Sequence, residues 1–433
     1  MKKFLIVFAV IFLYLSVSTY AQRGKQGIAI INTTGAVVNA YTRLTADASQ
    51  GATSITVVNN ELSTNFSSLL GAGDLVFIIQ MQGATITYGD DWYGYGYINY
   101  YNNAGKYEFA QVASVSGSNT INLTCGLTQS YTASGNVQVV RVPRYNSLTI
   151  NSGASLTCPT WDGITGGVLV VESLNSITNN GSVNVNGKGF RGGSQSTSIS
   201  NSYTEKWYAH ADPTKGGQKG EGIAGRGEGT KQYCKGAPAN GGGGGNSHNC
   251  GGGGGCNVSA NLTYTGKGIP DNSCPLCSAA WNLEAPDMYS TSISYGGGRG
   301  GYSFSANDLD ASTVGPGNTA WAGTNRENDG GNGGWPLNEN QGLFPRLFLG
   351  GGGGGGHAND NEGGAGGNGG GLIYFISYGG ISGTGTFYAN GMPGGNSEGA
   401  TPGLFSSNST GTDGSGGGGG GGTIVLNAVN SIT

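Results

Sequence analysis

Glycine falls in four uninterrupted runs along this chain, Gly241–Gly245, Gly251–Gly255, Gly350–Gly356 and Gly416–Gly422. They limit what the chain can fold into more than any other feature. A glycine run loses more backbone entropy on folding than any other sequence and brings no side chain to bury. Either such a run is a flexible linker, or its backbone packs against other backbone in an extended helix of the polyproline II kind. In the second case, close approach without a Cβ is the purpose of the glycine. The run Gly350–Gly356 would then span roughly 22 Å at ~3.1 Å per residue. The packed form is favoured because the glycines punctuate a repeat.

The repeat opens at Gly166 and Gly167, continues through the apolar stretch Val168–Val171, turns, and closes on a second stretch ending at Asn186 and Gly187. A second copy keeps that order: Gly370 and Gly371, then Leu372–Ile376, then a stretch ending at Asn390 and Gly391. A third opens at Gly421 and Gly422, continues through Thr423–Leu426 and stops at Thr433. Short strands separated by tight turns and copied along the chain predict a stacked β-solenoid, each rung burying its face against its neighbours. The third copy breaks off after its first strand, so the sequence is expected to be the leading part of a longer protein.

Composition agrees with an all-β extracellular protein. There are 88 glycines and 22 tyrosines in 433 residues, only 10% of residues are charged, and no long stretch has helical amphipathic spacing. Hydrophobic content is 36%, so the core has to be thin and repeated rather than one large mass. The net charge of -4 comes with no basic stripe, which argues against nucleic-acid binding and electrostatic membrane association. At the N-terminus Lys2 and Lys3 precede the apolar run Phe4–Leu15, and Thr19–Ala21 fits a small-residue cleavage signal before Gln22. Residues 1–21 therefore read as a signal peptide, too short in its apolar part to span a bilayer. The mature chain is expected to be secreted, extracellular or at the cell surface.

Seven cysteines remain after cleavage: Cys125, Cys158, Cys234, Cys250, Cys256, Cys274 and Cys277. In an exported chain the default use is disulfide bonding, with one left over by the odd count. A redox role for Cys274 and Cys277 would need a helix N-terminus on a βαβ unit, and none is visible. His248 with Cys250, Cys256, Cys274 and Cys277 has the ligand types of a zinc site but an unusual spacing. Structural disulfides are the expectation, with no metal and no cofactor.

Along the chain, residues 27–143 read as an N-terminal β-domain, a small β-sandwich or barrel. Its strand patterns are Ser54–Val57, Asp74–Ile79, Tyr107–Val112, Thr120–Leu123 and Val137–Val140. Its loop Tyr88–Tyr101 concentrates Trp92, Tyr93, Tyr95, Tyr97, Tyr100 and Tyr101 with glycine and two carboxylates. Such rings either form a binding tip, offering area with a polar end, or pack on the domain. Residues 144–433 read as the glycine-rich solenoid region, led in by a strand pair at Ser147–Ile150 and Ala154–Thr157. A long insertion, 194–345, is expected to combine a glycine-helix layer with irregular excursions tied by its cysteines; a flexible linker is the alternative.

Catalysis is not expected. Polysaccharide lyases and hydrolases on β-helices need paired carboxylates or a carboxylate–arginine cluster on adjacent rungs, and Glu172 is almost the only acid on a rung. Asp308, Asp310, Glu327, Asp329, Asp360, Glu362 and Asp413 fall in polar or glycine-rich loops without fixed spacing. The stretch His357–Glu362 reads as a solvated turn rather than a calcium loop.

An ordered series of stretches carries a resemblance: Asn39–Ala48, Gly51–Val57, Gly73–Gly83, Val140–Tyr145, Trp161–Gly167, Gly187–Gly193, Gly220–Gly225 and Asn240–Asn249. Over most of the mature chain it resembles large glycine-rich surface proteins of Bacteroidota-type bacteria, an adhesin-like, gliding-motility-associated group. The resemblance implies type IX secretion and a surface location. The glycine-helix layer is also similar to that of phage tail-tip adhesins, where loops between packed polyglycine helices bind the receptor. The expected function is therefore a secreted structural or adhesive surface protein. Its partner would be an extracellular or cell-surface glycan or protein, or a further copy of itself in a surface layer or filament. Binding would use the Trp92–Tyr101 loop or loops of the insertion. The alternative is a carbohydrate-binding or carbohydrate-active β-helix protein.

Overall fold

The computed structural model describes residues 22–89, 95–197, 207–246, 250–257, 262–263, 293–294, 296–298, 300, 330–338, 345–358, 363–397 and 413–433. The expected leader lies outside them, as do Trp92, Tyr93, Cys274 and Cys277. Among the described residues the protein is all-β, with a single 3-10 turn at Ala133–Gly135.

Three four-stranded parallel sheets carry the repeat. In the first, Ile28–Ile31 pairs with Ser147–Ile150, then Ile177–Asn179, then Ile381–Ser382. The second stacks Ala36–Val37, Ser155–Thr157, Ser182–Asn184 and Thr386–Tyr388. The third stacks Arg144–Tyr145, Val168–Ser173, Leu372–Ser377 and Thr423–Ala428. Each full pass of the chain gives one strand to every sheet. Leu148, Leu156, Leu169, Val171, Val183, Ile373 and Phe375 point between the sheets and form one core. Val168, Val170, Leu372 and Tyr374 point the other way and are also buried. A sheet covered on both faces has no reason to alternate, which explains the unbroken apolar runs.

Two expectations are corrected here. The lead-in strands at Ser147–Ile150 and Ser155–Thr157 do not pair with each other but lie in different sheets, joined by a turn in which the Ala154 N–H donates to Asn151 O at 3.0 Å. Only stacking onto other passes buries Leu148 and Leu156. The N-terminal unit does not begin at residue 27 either. Ile28–Ile31 and Ala36–Val37 open the first pass of the stack, and an antiparallel unit is inserted within that pass, before its third strand Arg144–Tyr145.

The inserted unit orders its six strands as Ala40–Arg43, Val137–Val142, Leu75–Gln80, Tyr107–Ser116, Thr120–Leu123, Ser54–Thr56. The outer two meet: Leu44 bridges Val57, the Thr45 N–H donates to Thr56 O at 3.0 Å, and the Val58 N–H donates to Arg43 O at 3.1 Å. Val76, Ile78, Val112, Ile121, Val137 and Val139 fill the interior of this closed ring of strands. Phe77, Ile79, Val140 and Val142 face outward onto the buried outer face of the third parallel sheet. Each such side chain contributes about 1.5–3 kcal/mol when fully buried, so this shared face joins the two units firmly.

The glycine runs pack backbone on backbone, which excludes the linker alternative for the described runs. Within 350–357, donors follow a period of three at 2.8–2.9 Å. Gly350, Gly353 and Gly356 donate to Gly370, Gly367 and Gly364; Gly351, Gly354 and His357 donate to Cys256, Gly253 and Cys250; Gly352 and Gly355 donate to Glu221 and Gln218. Carbonyls of the same run accept in three further rows. These come from Phe190, Gly193 and Ser196, from Gly242 and Gly245, and from Gly414, Gly417 and Gly420. Six neighbouring segments therefore enclose one extended run. Glycine is required for space: a Cβ on Gly356 would lie 1.8 Å from Gly414 O, and one on Gly353 2.0 Å from Gly417 O.

The described cysteines do not show the disulfides that the sequence leads one to expect. Cys125, Cys158, Cys234, Cys250 and Cys256 form none. Cys125 is exposed on the antiparallel unit, Cys158 is buried between the parallel sheets, and the other three are buried in the glycine layer. There the Cys234 thiol donates to Lys215 O at 3.4 Å, and the Cys250 and Cys256 carbonyls accept from the His357 and Gly351 N–H groups.

Burial also raises three acids, each to about 12: the Cys158 thiol from 9.0, and the Tyr107 and Tyr145 phenols from 10.0. In the unfolded chain these groups ionise first, so above about pH 9 the folded state holds more protons and loses stability. Stability from these groups is complete below about pH 9 and falls through pH 12. In an alkaline titration, phenolate absorbance of Tyr107 and Tyr145 is expected to rise together with loss of the β-sheet circular dichroism signal, not before it.

Candidate functional site: an aromatic groove

The tyrosine-rich loop is carried by a small antiparallel pair, Thr85–Ile86 with Ile98–Tyr100, whose register shifts at Thr85. Gly96 sets how the loop folds. Its φ is +83°, a conformation other residues rarely adopt, and a Cβ there would lie 1.6 Å from Ala237 O. The Ala239 N–H donates to Gly96 O at 3.1 Å, and the Trp335 N–H donates to Ala239 O at 2.7 Å. Three stretches distant in sequence are thereby laid side by side.

The turn at Gly96 sends neighbouring rings in opposite directions. Tyr95 points inward and is 1% exposed, packed with Tyr208 and Ala209; Tyr97 points outward and is 55% exposed. Tyr95 is thus corrected from a binding ring to a buried one. Tyr97 meets Trp335 edge to face, with centroids 5.4 Å apart at 89°, and the Trp335 indole N–H donates to Tyr95 O at 3.1 Å. Tyr100 is 69% exposed. Tyr101 is half-buried against Phe348, and its hydroxyl accepts from the Asn338 N–H at 2.8 Å. Arg346 donates to Ala104 O and to Asn102 O, with its guanidinium 5.6 Å from the Tyr101 ring centre.

Tyr97, Tyr100, Tyr101, Trp335, Asn338 and Arg346 line a groove of about 750 Å³, with Ile98, Asn99, Asn102 and Pro336 completing its walls. That volume suits a small-molecule or oligomer segment. Of the expected binding residues, Tyr97, Tyr100 and Tyr101 are brought together here, and Trp92 and Tyr93 lie outside the described residues. Trp335, Asn338 and Arg346 were not expected. Their one signal in the sequence is a tryptophan followed by proline directly after glycine, Gly333–Pro336, where a glycine layer alone has no use for a large ring.

The groove's described lining holds no carboxylate. Beside it, burial and then the Arg346 charge lower the Lys106 amine, and burial lowers Arg346 itself. Three buried acids elsewhere are committed to cations. Glu172 pairs with Arg144, Asp74 with Arg141 and Lys25, and Glu221 with Arg191. Glu221 also accepts from the Trp161 indole at 3.0 Å and from Gln82 at 3.0 Å, so one carboxylate ties the glycine layer to both β-units. Among the described residues no cluster of His, Cys, Asp or Glu is arranged to hold a metal ion, and 359–362 of the weighed calcium stretch lie outside them. No described helix is long and apolar enough to cross a membrane. What the groove offers is ring faces and edges for stacking, with amide and guanidinium groups for hydroxyls.

No family model and no curated protein sequence matches the chain. Among solved structures it has a local likeness to the Gp54 tailspike of Acinetobacter baumannii bacteriophage AP22, determined in complex with A. baumannii capsular saccharide. That likeness has 19% identity and a TM-score of 0.17, over 36% of this chain and 25% of the tailspike. The tailspike gp61 of Pseudomonas phage phi297 is similar at 16% identity and a TM-score of 0.16, over 34% and 21% of the two chains. For gp49 of Pseudomonas phage LKA1 the values are 13% and 0.18, over 36% and 28%. The chain thus spans about a quarter of the length of these tailspikes, and likeness at this level assigns neither a ligand nor an activity.

Proposed function

We propose that this chain is a secreted, adhesive surface scaffold whose aromatic groove holds a glycan. In this reading the three parallel sheets are a β-solenoid, and the glycine layer is a bundle of polyglycine-II-type helices. The period of three in its hydrogen bonds supports that, since such helices have 3 residues per turn. A rigid base of this kind carries the groove at its junction with the inserted antiparallel unit. Export by the type IX route and membership of the Bacteroidota-type surface group belong to the same proposal, on the strength of the sequence resemblance.

The observation that carries the glycan reading is the Tyr97–Trp335 pair, flanked by Tyr100, Asn99 and Asn102 around an open groove. Exposed rings held in place by backbone hydrogen bonds give contact area at little entropic cost. The mature chain, presented to an array of bacterial and host polysaccharides and then titrated calorimetrically, is expected to bind one class. Trp335→Ala and Tyr97→Ala should each weaken that binding about tenfold, or ~1.4 kcal/mol, with unchanged far-ultraviolet circular dichroism. Failure of the wild-type chain to bind any saccharide would overturn the reading. A second reading is a filament subunit, in which the strand Ile28–Ile31, at the edge of its sheet with Ile28 69% exposed, pairs with a further copy. Light scattering of the same sample over a range of concentrations separates the two.

A further inference from the structure

We infer that Lys219, a buried residue outside the groove, is the positioning residue for its aromatic pair. Its ammonium donates to the carbonyls of Tyr208, Cys234 and Gly236, gathering the segment 207–236 around a single charge. The same ammonium lies 4.4 Å from the centre of the Tyr95 ring, a distance at which a cation is attracted to the face of a ring. That ring sits in a cup that admits nothing bulkier than glycine at two points. A Cβ on Gly236 would lie 2.3 Å from Tyr95 Cδ1, and one on Gly227 2.3 Å from its hydroxyl oxygen.

From Tyr95 the constraint passes outward along the backbone. The Tyr95 carbonyl receives the Trp335 indole N–H, and that bond fixes the angle at which the indole meets Tyr97. Gly96, between the two tyrosines, is held against Ala237 O and bonded to Ala239, so displacement of Tyr95 cannot be absorbed locally. Lys219 thus sets the orientation of two groove rings without touching a ligand. The inference rests on the glycan reading only for its consequence in binding.

The test uses the full mature chain. The Trp335 indole resonance is assigned in a nitrogen-15 spectrum through Trp335→Phe, and its proton is expected to exchange slowly with solvent. Lys219→Met, which keeps length and removes charge, should make that proton exchange at least tenfold faster and weaken glycan binding at least fivefold. A lysine that only held the 207–236 segment together would leave the indole proton protected, and that result would overturn the inference. If Lys219→Met does not fold, Tyr95→Leu serves instead, since it leaves the ammonium on its three carbonyls and removes the ring above it. The same two readouts then decide. If the wild-type chain binds no saccharide, the glycan reading falls, while indole exchange still decides the role of Lys219.

Discussion

Gly354→Ala is expected to destabilise the protein by about 3 kcal/mol, the upper part of the range for overpacked interiors, whereas Gly418→Ala leaves stability within about 1 kcal/mol. Both positions lie in glycine runs and neither has a left-handed φ, so propensity alone would treat them alike. They differ in what surrounds them. A Cβ on Gly354 would stand 1.9 Å from Gly243 O, 2.4 Å from Gly243 C and 2.9 Å from Gly244 N, all backbone atoms that cannot rotate away. Relief requires two extended runs to separate, which also strains the bond from the Gly354 N–H to Gly253 O and the one its carbonyl accepts from Gly417. Each net hydrogen bond weakened adds ~0.5–1.5 kcal/mol. At Gly418 the nearest atom is Met392 O at 3.7 Å, and alanine there mainly reduces the freedom of the unfolded chain. Urea unfolding of both variants checks the pair. Equal effects would mean that the runs do not pack as an array.

The same contrast shows what could be read from the sequence. Uninterrupted glycine leaves few physical options, and glycines spaced by apolar stretches narrow them to packed backbone beside stacked strands. The copies beginning at Gly166, Gly370 and Gly421 do lead directly into adjacent strands of one parallel sheet. The first pass was not legible. Ile28–Ile31 finds its partner at Ser147–Ile150, across the whole inserted unit, and four residues carry no local mark of so distant a pairing. The place of the described cysteines was not legible for a different reason. The expectation of export makes disulfides the default, whereas Cys158 occupies a buried position in an apolar core. The groove was half legible. Ring-rich composition marked the loop, whereas the opposite fates of Tyr95 and Tyr97 depend on Ala237 O pressing against Gly96. Trp335 arrives from a segment read as glycine layer.

The second large effect is expected at Asp74, one of the few charges in the interior. Its Oδ2 accepts from Arg141 at 2.8 Å and from the Gly71 N–H at 2.9 Å, and its Oδ1 accepts from Lys25 at 2.7 Å. Arg141 has a fully buried side chain, also donates to Leu62 O and Ser68 O, and lies 4.0 Å from the centre of the Phe66 ring. Asp74→Ala therefore leaves a guanidinium buried among carbonyls and a ring with no counter-charge from that side. Breaking such a pair from one end costs about 3–5 kcal/mol. The pair itself is worth less than that figure, because much of it is the penalty on the stranded charge. The double variant Asp74→Ala with Arg141→Met removes both charges and should recover a large part of the loss. Urea unfolding of the two single variants and the double gives the coupling directly. Additive losses would show that Asp74 and Arg141 stabilise the unit separately. Recovery would show that the carboxylate is there to neutralise Arg141, which in turn holds the Leu62–Ser68 loop over the end of the closed strands.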